Sequence, residues 1–374
     1  MIKKQNLFQA RIDGYHVYRI PGIVVTENNI VIVSTEARKG SGGDWENIDI
    51  LIRRSVDSAK SFEKKRLVVD HRDYGDGPIN NFVMISDKVK KRVVALFCHN
   101  YSRVFRCYID ADGLNVSKPK EITDVFNKFK KDYSWKVCAT GPGHGIQSNN
   151  GRLIVPVWLS DGTGKEMGEG NLGHRPSVVS SVYSDDYGKT WERGEIICKN
   201  NDYVNGKLLI NPSETIVVEL SNSAIMFNIR NESEVERRLI AVSQDGAKKW
   251  KILGFDDSLL EPVCMASIIK SNIKSNINKE IIVFINPDTL ENDIIPPGNK
   301  LRHDRKRLTV KCSGNDGMTW DISKILELGP AGYSDLAQLS TGEFLCFYEC
   351  DLETKMCDDK YLRLAKFDLD WILN

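Results

Sequence analysis

Cysteines could form disulfides, and cysteines and histidines together could bind a metal ion. The chain has nine cysteines, an odd number, and no two of them form a Cys-x-x-Cys pair. This number and spacing argue against a disulfide framework and against a zinc cluster. The six histidines and the aspartates show no spacing typical of a metal site. We therefore expect reduced, mostly buried thiols and a chemistry that needs no metal and no cofactor.

Arginine, aspartate and glutamate could bind an anion or transfer protons, but residue type alone singles out no position. A single arginine is most simply a solvated surface residue. An aspartate in a glycine-rich loop, such as Asp44 in Gly40-Ser-Gly-Gly-Asp-Trp45, is most simply part of a turn. The residues that act together must therefore be found through the elements that position them.

Charge and composition narrow the class of protein. The formal charge is +1, from 52 Lys and Arg against 51 Asp and Glu, which argues against nucleic acid and anionic membranes as main partners. Apolar residues make up 41%, enough for a sizeable core, and no apolar run is long enough to span a bilayer. The first residues, Met1-Ile-Lys-Lys-Gln-Asn6, lack the apolar region of a secretory signal. We expect a cytoplasmic protein, or a secreted one if a signal has been removed.

Short runs rich in valine, isoleucine, phenylalanine and tyrosine recur along the whole chain, separated by clusters of glycine, asparagine and aspartate. Examples are Gly22–Thr26, Ile30–Val33, Val93–Phe97, Leu153–Val157 and Ile281–Ile285. This pattern predicts an antiparallel all-β protein. No linker divides the chain, so we expect one domain over residues 1–374. The segment for which we predict a helix is Glu121–Lys131.

A repeated motif of the form Ser-x-Asp-x-Gly-x-Thr-Trp sharpens this prediction. It is clearest at Ser184–Trp191, with weaker copies at Ser55–Phe62, Ser243–Trp250 and Ser313–Trp320 and an eroded copy near Ile109–Gly113. A repeat near 60 residues fits a four-stranded antiparallel blade, and six of them account for 374 residues, so we predict a six-bladed β-propeller. Within each box the aspartate binds backbone N–H groups, the glycine takes a positive φ and the tryptophan packs under the hairpin. We expect the boxes to lie away from any chemistry.

The boxes follow an early Tyr18-Arg-Ile-Pro21, and together these motifs resemble those of the exo-sialidases, glycosidases with Asp-box repeats and an F/Y-R-I-P motif. Asp boxes alone are weak evidence, because many non-enzymatic propellers carry them. A series of motifs in the same order as in that family is more specific evidence. After Tyr18–Pro21, the further motifs of this series are Asp44–Ile50, Thr140–Gly145, Gly151–Pro156, Asn228–Asn231, Arg305–Val310, Tyr333–Leu336 and Phe347–Glu349.

The resemblance implies a substrate with a terminal sialic acid, either a sialylated glycan or a simple sialoside. Such a sugar carries a carboxylate on its anomeric carbon, which planar guanidinium groups bind better than ammonium groups. By resemblance, Arg19, Arg230 and Arg305 form this clamp, and Glu349 pairs with Arg19. Arg302 and Arg307 stay open as alternatives to Arg305.

The carboxylate of the sugar also restricts which type of residue can act as the nucleophile. An anionic aspartate or glutamate would be repelled by it, and sialidases are the glycosidases that use tyrosine instead. A phenol is a weak nucleophile at its usual pKa and needs a base in contact. By resemblance, Tyr333 is the nucleophile and Glu214 its base, with Glu219 as the alternative.

Three further residues are implied by the resemblance. Asp44 is the acid that protonates the leaving oxygen and then the base that activates water. Arg38 lies near the sugar, and Asn81 reaches its N-acyl side. If Asp44 only shapes its loop, Glu46 and Asp49 are the next candidates for the acid.

Other functions stay open. A trans-sialidase, or a hydrolase of another nonulosonic acid, would need the same arginines. A catalytically silent sialic-acid-binding propeller would need the arginines alone, so the presence of Tyr333, Glu214 and Asp44 together favours an enzyme. The sequence indicates neither the linkage preference nor the oligomeric state.

Overall fold

The computed structural model describes residues 2–167, 172–274, 280–294 and 303–374. The predicted all-β class is confirmed, with antiparallel pairing throughout the sheets. Of the helices in these residues, none is long and apolar enough to cross a membrane. All nine cysteines are unpaired, and eight of them are buried.

The first half of the chain forms three sheets, preceded by strand β1 (Lys3–Gln9), which joins a later sheet. The first sheet contains β2 (Val17–Val25), β3 (Val31–Arg38), β4 (Ile48–Ser55) and β5 (Arg66–Val69). The second contains β6 (Ile79–Asp87), β7 (Arg92–His99), β8 (Arg103–Asp110) and β9 (Lys120–Glu121). The third contains β10 (Val137–Thr140), β11 (Ile146–Gln147), β12 (Leu153–Ser160), β13 (Ser177–Ser184), β14 (Glu192–Arg193) and β15 (Cys198–Lys199).

The second half adds a short hairpin and two sheets. The hairpin is β16 (Tyr203–Val204) with β17 (Lys207–Leu208), and the fourth sheet contains β18 (Thr215–Glu219), β19 (Ile225–Ile229), β20 (Arg237–Ser243) and β21 (Lys251–Leu260). The fifth contains β22 (Ser267–Lys274), β23 (Glu280–Pro287), β24 (Lys306–Ser313), β25 (Ile322–Gln338), β26 (Phe344–Leu352), β27 (Asp359–Phe367) and β1. Strand β25 pairs with β24 through its first half and with β26 through its second half.

The helical prediction needs correction at its start, which lies at Thr123, and in the type of helix over its second half. Within Glu121–Lys131, the α-helix α1 covers only Thr123–Asn127, and a 3₁₀ turn continues over Lys128–Lys131. Phe126 and Phe129 are fully buried against the second and third sheets, so their packing fixes this segment more than its helix propensity does. A second helix, α2 (Leu369–Leu373), was not predicted.

The predicted turn chemistry of the Asp boxes is confirmed. At the clearest copy, Asp186 accepts hydrogen bonds from the backbone N–H of Thr190 at 2.9 and 3.2 Å and from Oγ of Ser184 at 2.9 Å. Gly188 has φ of 81°, the left-handed region that favours glycine. Trp191 is buried in the core between the second and third sheets. Each of the four copies begins at the last residue of the third strand of its four-stranded unit.

Asp335 connects β25 to two other strands, β2 and β22, and to His144 just before β11. On β25, its carboxylate accepts from the backbone N–H of Ile23 on β2 at 2.9 Å and from Oγ of Ser267 on β22 at 2.8 Å. Nδ1 of His144 lies 2.7 Å from the same carboxylate, and this contact raises the pKa of His144 although burial acts to lower it. A buried carboxylate with several hydrogen-bond partners stabilises the packing of these segments against one another.

Candidate active site

A cavity of about 280 Å³ is lined by residues from four of the five sheets and by Glu214 and Arg230, which adjoin strands of the fourth sheet. Its lining includes all eight residues predicted to bind substrate or act in catalysis: Arg19, Arg38, Asp44, Asn81, Glu214, Arg230, Arg305 and Tyr333. Glu349 is fully buried and contacts Arg19 from behind the cavity wall. Residues that are far apart in the chain therefore meet in one place.

Three of these side chains, those of Arg19, Asn81 and Tyr333, lie at irregularities in the pairing of their strands. The pairing of β2 with β3 is interrupted just after Arg19, that of β6 with β7 around Asn81, and that of β25 with β26 around Tyr333. Such bulges re-aim side chains and are common next to active sites. Ile20 also has φ of 57°, a conformation that costs a branched residue about 1–3 kcal/mol. The surrounding structure must offset this cost, which is typical of a functional site.

Tyr333, Glu214 and Arg230 form a closed group of contacts. The phenol of Tyr333 donates a hydrogen bond to Oε1 of Glu214 and accepts one from Nη1 of Arg230 at 2.7 Å. The same Nη1 contacts Oε2 of Glu214. Glu214 directly precedes β18 and Arg230 directly follows β19, so the pairing of these two strands holds the two side chains together.

The environment of Tyr333 keeps its phenol neutral. Burial raises the pKa of Tyr333 above its usual value, and the positive charge of Arg230 opposes this without cancelling it. At neutral pH the oxygen therefore carries its proton, and Glu214 is the acceptor in contact with it. The alternative, Glu219, accepts from the backbone N–H of Asn149 at 2.9 and 3.2 Å and lines a different cavity.

Arg19 is held by a buried carboxylate. Its Nε and Nη2 donate to the two oxygens of Glu349, each at 3.1 Å. Glu349 also accepts from the backbone N–H of Tyr333 at 3.0 Å. Burial raises the pKa of Glu349, but the charge of Arg19 outweighs it and the pKa lies below its usual value. A Cβ at Gly332 would lie 2.6 Å from this carboxylate, so the close approach requires glycine there.

Arg305 has different partners. Its Nη2 donates to the carbonyl of Val263 at 2.9 Å and its Nη1 to Sγ of Cys357 at 3.2 Å. Among the described residues no carboxylate pairs with it, so its charge is available to an anionic ligand. Its Cζ lies 5.0 Å from the centre of the Tyr333 ring, and that of Arg19 lies 5.2 Å from the same centre. The three predicted clamp arginines therefore surround one tyrosine.

The two alternatives to Arg305 are not in this position. Arg307 pairs with Glu291 at 2.9 Å, its side chain is 43% exposed, and it does not line the cavity. Arg302 lies outside the described residues.

Asp44 belongs to a chain of polar contacts that begins at Arg38, another residue of the cavity lining. Nη1 of Arg38 donates to Asp44 at 2.6 Å, and Nη2 of Arg38 donates to Glu36 at 2.7 Å. The other oxygen of Glu36 accepts from the backbone N–H of Asn81 at 2.8 Å. Arg38 and Asn81 are thus fixed by the buried Glu36, whereas the side chain of Asp44 remains 35% exposed.

The charge state of Asp44 follows from these contacts. Burial acts to raise its pKa, but the positive charge of Arg38, followed by His174 and Arg19, holds the pKa well below its usual range. Asp44 is therefore ionised here, and the same contacts make its carboxylate a weaker base than that of an ordinary aspartate. To donate a proton, Asp44 would first have to gain one, which its pairing with Arg38 opposes.

Glu46 and Asp49, the alternatives to Asp44, do not line this cavity. Glu46 accepts from the hydroxyl of Ser41 at 2.7 Å. Asp49 is buried and lies 2.6 Å from Nδ1 of His71 and 3.1 Å from Nζ of Lys39. The carboxylates of both residues are therefore bound by groups outside the cavity.

Asp49 also belongs to a group with Asp70 and His71 whose ligand atoms are close enough to hold a metal ion. The sequence does not point to this group, because Asp49 and Asp70 are far apart in the chain. The ammonium of Lys39 already occupies the carboxylate of Asp49, which disfavours a second cation there.

Several cavity residues were also not predicted. They are Tyr101, Trp158, His174, Arg175 and Glu232. The ring of His174 lies 4.9 Å from that of Tyr101 and 5.4 Å from that of Trp158. Arg175 donates to Glu232 through Nε at 2.9 Å. For His174 and Arg175, the signal that could have pointed to them is the long connection between β12 and β13, since long loops at a rigid scaffold often carry function.

The sequence of this chain matches a known protein family and is similar to that of a curated sialidase. Residues 35–346, most of the chain, match the family described as BNR repeat-like domain. A sialidase of Bacteroides fragilis is 27% identical over 368 residues, which cover 90% of this chain. The chain spans 60% of the length of that relative.

Two solved structures share the fold. The Hadza microbial sialidase Hz136 has a TM-score of 0.79 and 24% identity, over 99% of this chain and 69% of that one. The intramolecular trans-sialidase from Ruminococcus gnavus, solved with oseltamivir carboxylate, has a TM-score of 0.72 and 15% identity, over 98% of both chains.

Proposed function

The chain belongs to the family of BNR repeat-like domains, and we propose that it acts as a retaining exo-α-sialidase on sialylated glycans or sialosides. The observation that carries this proposal is the convergence of Arg19, Arg230 and Arg305 on Tyr333, whose phenol contacts Glu214. A site that only binds an anion has no need of a tyrosine paired with a base.

In the first step, Oη of Tyr333 attacks the anomeric carbon while its proton passes to Glu214. The bond to the leaving oxygen breaks, and that oxygen takes a proton from Asp44. The arginines hold the sugar carboxylate so that the anomeric carbon faces Tyr333. The products of this step are a tyrosyl-linked sugar and a free aglycone.

In the second step, water replaces the tyrosine. Asp44 removes a proton from the water as its oxygen attacks the anomeric carbon, and Glu214 returns its proton to the departing Tyr333 oxygen. Each step inverts the configuration at the anomeric carbon, so the overall result is retention. Asp44, ionised in the unliganded site, is in the correct state to begin this step once the aglycone has left.

We also propose that residues 1–374 form a single six-bladed propeller. Contacts between strands support this: β2 contacts β6, β6 contacts β11, β11 contacts β18, β18 contacts β22, β22 contacts β25, and β25 contacts β2. The seven-stranded sheet would supply two blades, since β25 changes partner at its middle. A hydrophobic core that contains Ile23, Val33, Phe347 and Leu364 joins the last blade to the first.

The test of function is the release of a fluorogenic group from an aryl α-sialoside, run beside the deaminated-sugar analogue. NMR of the first product formed should show the α-anomer. A β-anomer would contradict the retaining mechanism. Binding of the sugar without any release would favour the silent binding protein instead, and preference for the analogue would favour a hydrolase of another nonulosonic acid.

A transferase is the second candidate, because the intramolecular trans-sialidase from Ruminococcus gnavus covers nearly the whole chain. In such a reaction a hydroxyl of the sugar itself would replace water in the second step. Mass spectrometry separates the two outcomes, since intramolecular transfer gives a product lighter than the free sugar by one water.

A further inference from the structure

Arg19 contacts two buried carboxyl groups. Its Nε donates to Oε1 of Glu349 at 3.1 Å, and the same Nε lies 3.6 Å from Oδ2 of Asp359, the first residue of β27. The side chains of Glu349 and Asp359 are 1% and 4% exposed. Two carboxyl groups that share one buried arginine cannot both ionise without a large cost.

The hydrogen bonds indicate which group keeps the charge. Glu349 accepts from Arg19 through both oxygens and from the backbone N–H groups of Ile20 and Tyr333. Oδ2 of Asp359 is buried and accepts no hydrogen bond from the described residues. Hydrogen bonds to a carboxylate stabilise its ionised form, so Glu349 is the anion and Asp359 is the group that takes a proton.

The charges around Asp359 agree with this assignment. Burial and then the negative charge of Glu349 raise the pKa of Asp359 to about 8, against the opposing effect of Arg19 and Arg305. The neighbouring Asp358 adds to the repulsion, although Arg11 pairs with it at 2.7 Å and Nε2 of His16 lies 3.7 Å from it.

We propose that Asp359 is a positioning residue that stays protonated in the active enzyme, and that its ionisation weakens the binding of the sugar carboxylate by Arg19 and Arg305. This inference rests on the proposed function. When Asp359 is protonated, Arg19 has one counter-ion, Glu349. The positive charge of Arg19 then attracts the carboxylate of the substrate more strongly than it would with two counter-ions. An ionised Asp359 would place a second carboxylate beside Arg19, in addition to Glu349, and both would repel the carboxylate of an arriving substrate.

Thermodynamic linkage makes the proposal measurable. If the ligand carboxylate disfavours ionised Asp359, then ligand binding above the pKa of the free enzyme must take up a proton. Affinity then falls as pH rises through that pKa. The loss of affinity appears as an increase in Kd and KM with pH. The ionisation of Asp359 does not affect kcat, which is a property of the bound complex.

The experiment measures the binding of the 2,3-unsaturated analogue of N-acetylneuraminic acid to the full chain by calorimetry between pH 6.5 and pH 9.5. The wild type should bind about tenfold more weakly at pH 9 than at pH 7, the loss expected one unit above the pKa. Asp359→Asn, which mimics the protonated group at every pH, should bind like the wild type at pH 7 and keep that affinity at pH 9. Near pH 8, titrations in two buffers of different ionisation enthalpy should show proton uptake in the wild type and not in the variant.

Asp358→Asn is the matched control, since it removes the neighbouring acid that does not contact Arg19, and it should retain the alkaline loss of affinity. The proposal is overturned if Asp359→Asn loses affinity with pH as the wild type does, or if it binds poorly at pH 7, where an ionised aspartate would then be required. Failure of the proposed function has a different signature, because a folded wild type would then release no aryl group from the α-sialoside, whether or not it bound the analogue at pH 6.5.

Discussion

The phenol of Tyr333 donates a hydrogen bond to Glu214 across 119 residues of sequence. Nη1 of Arg230 contacts both partners, so one guanidinium fixes the geometry of the pair. Since burial keeps the phenol protonated, this hydrogen bond is also the route by which its proton can leave. The pair explains how a poor nucleophile could act at neutral pH.

Tyr333→Phe should lose most turnover of an aryl sialoside and still bind the unsaturated sugar analogue. The ring and its position between Arg19 and Arg305 remain, while the nucleophilic oxygen is gone. Steady-state kinetics and calorimetry measure the two properties separately. Activity equal to that of the wild type would remove Tyr333 from its proposed role, whereas a small remainder from a bypass route would not.

Glu214→Gln should lower kcat, because an amide cannot take the proton of Tyr333. Glu219→Gln is the matched control: its carboxylate binds the backbone of Asn149 in a different cavity. We expect the control to keep normal kinetics and to lose at most some thermal stability. If the two variants lose activity to the same extent, the assignment of the base to Glu214 is wrong.

Arg305→Lys keeps the charge but replaces a planar fork with a single ammonium. Binding of the sugar carboxylate should weaken by about 1–3 kcal/mol, the scale of a hydrogen bond to a charged group. A lysine cannot reach Val263 and Cys357 at once, as Arg305 does, and still face the ligand. Calorimetry with the unsaturated analogue measures this loss.

Arg307→Lys is the control for this prediction, since Arg307 is 43% exposed and pairs with Glu291. It should bind the analogue like the wild type. Weak binding by the Arg307 variant together with normal binding by the Arg305 variant would reverse the choice between these two arginines.

Local sequence predicted those parts of the fold that depend on local chemistry. The turn at Ser184–Trp191 could be read from the sequence because serine, aspartate and glycine act within eight residues of one another. The end of helix α1 could not, because Phe126 and Phe129 are held by contacts with distant strands. Helix α2 is only five residues long, too short to show a helical pattern.

The same distinction applies to the site. Residues within recognisable motifs, such as Arg19 and Tyr333, could be named from the sequence. His174 and Arg175 follow no motif, and only the folded loop between β12 and β13 brings them into the cavity. Asp359 contacts Arg19 because β27 pairs with β26, a register that no short segment encodes.

Asp44→Asn should separate the two kinds of leaving group. A sialyl-lactose substrate releases a poor alkoxide and needs the proton that Asp44 would donate, so its cleavage should be severely impaired. An activated aryl sialoside needs far less help in that step, and the ratio of the aryl rate to the sialyl-lactose rate should rise well above the wild-type ratio. Because Asp44 would also activate water, stopped-flow measurements on the aryl substrate should show a burst followed by slow turnover.

Asparagine carries no charge, so the Asp44 variant also loses the ion pair with Arg38, and this loss needs a control. A normal affinity of the variant for the unsaturated analogue would show that the cavity around Arg38 keeps its structure. Equal losses on both substrates would indicate that Asp44 shapes its loop, and Glu46→Gln and Asp49→Asn would then be the variants to assay for the missing acid.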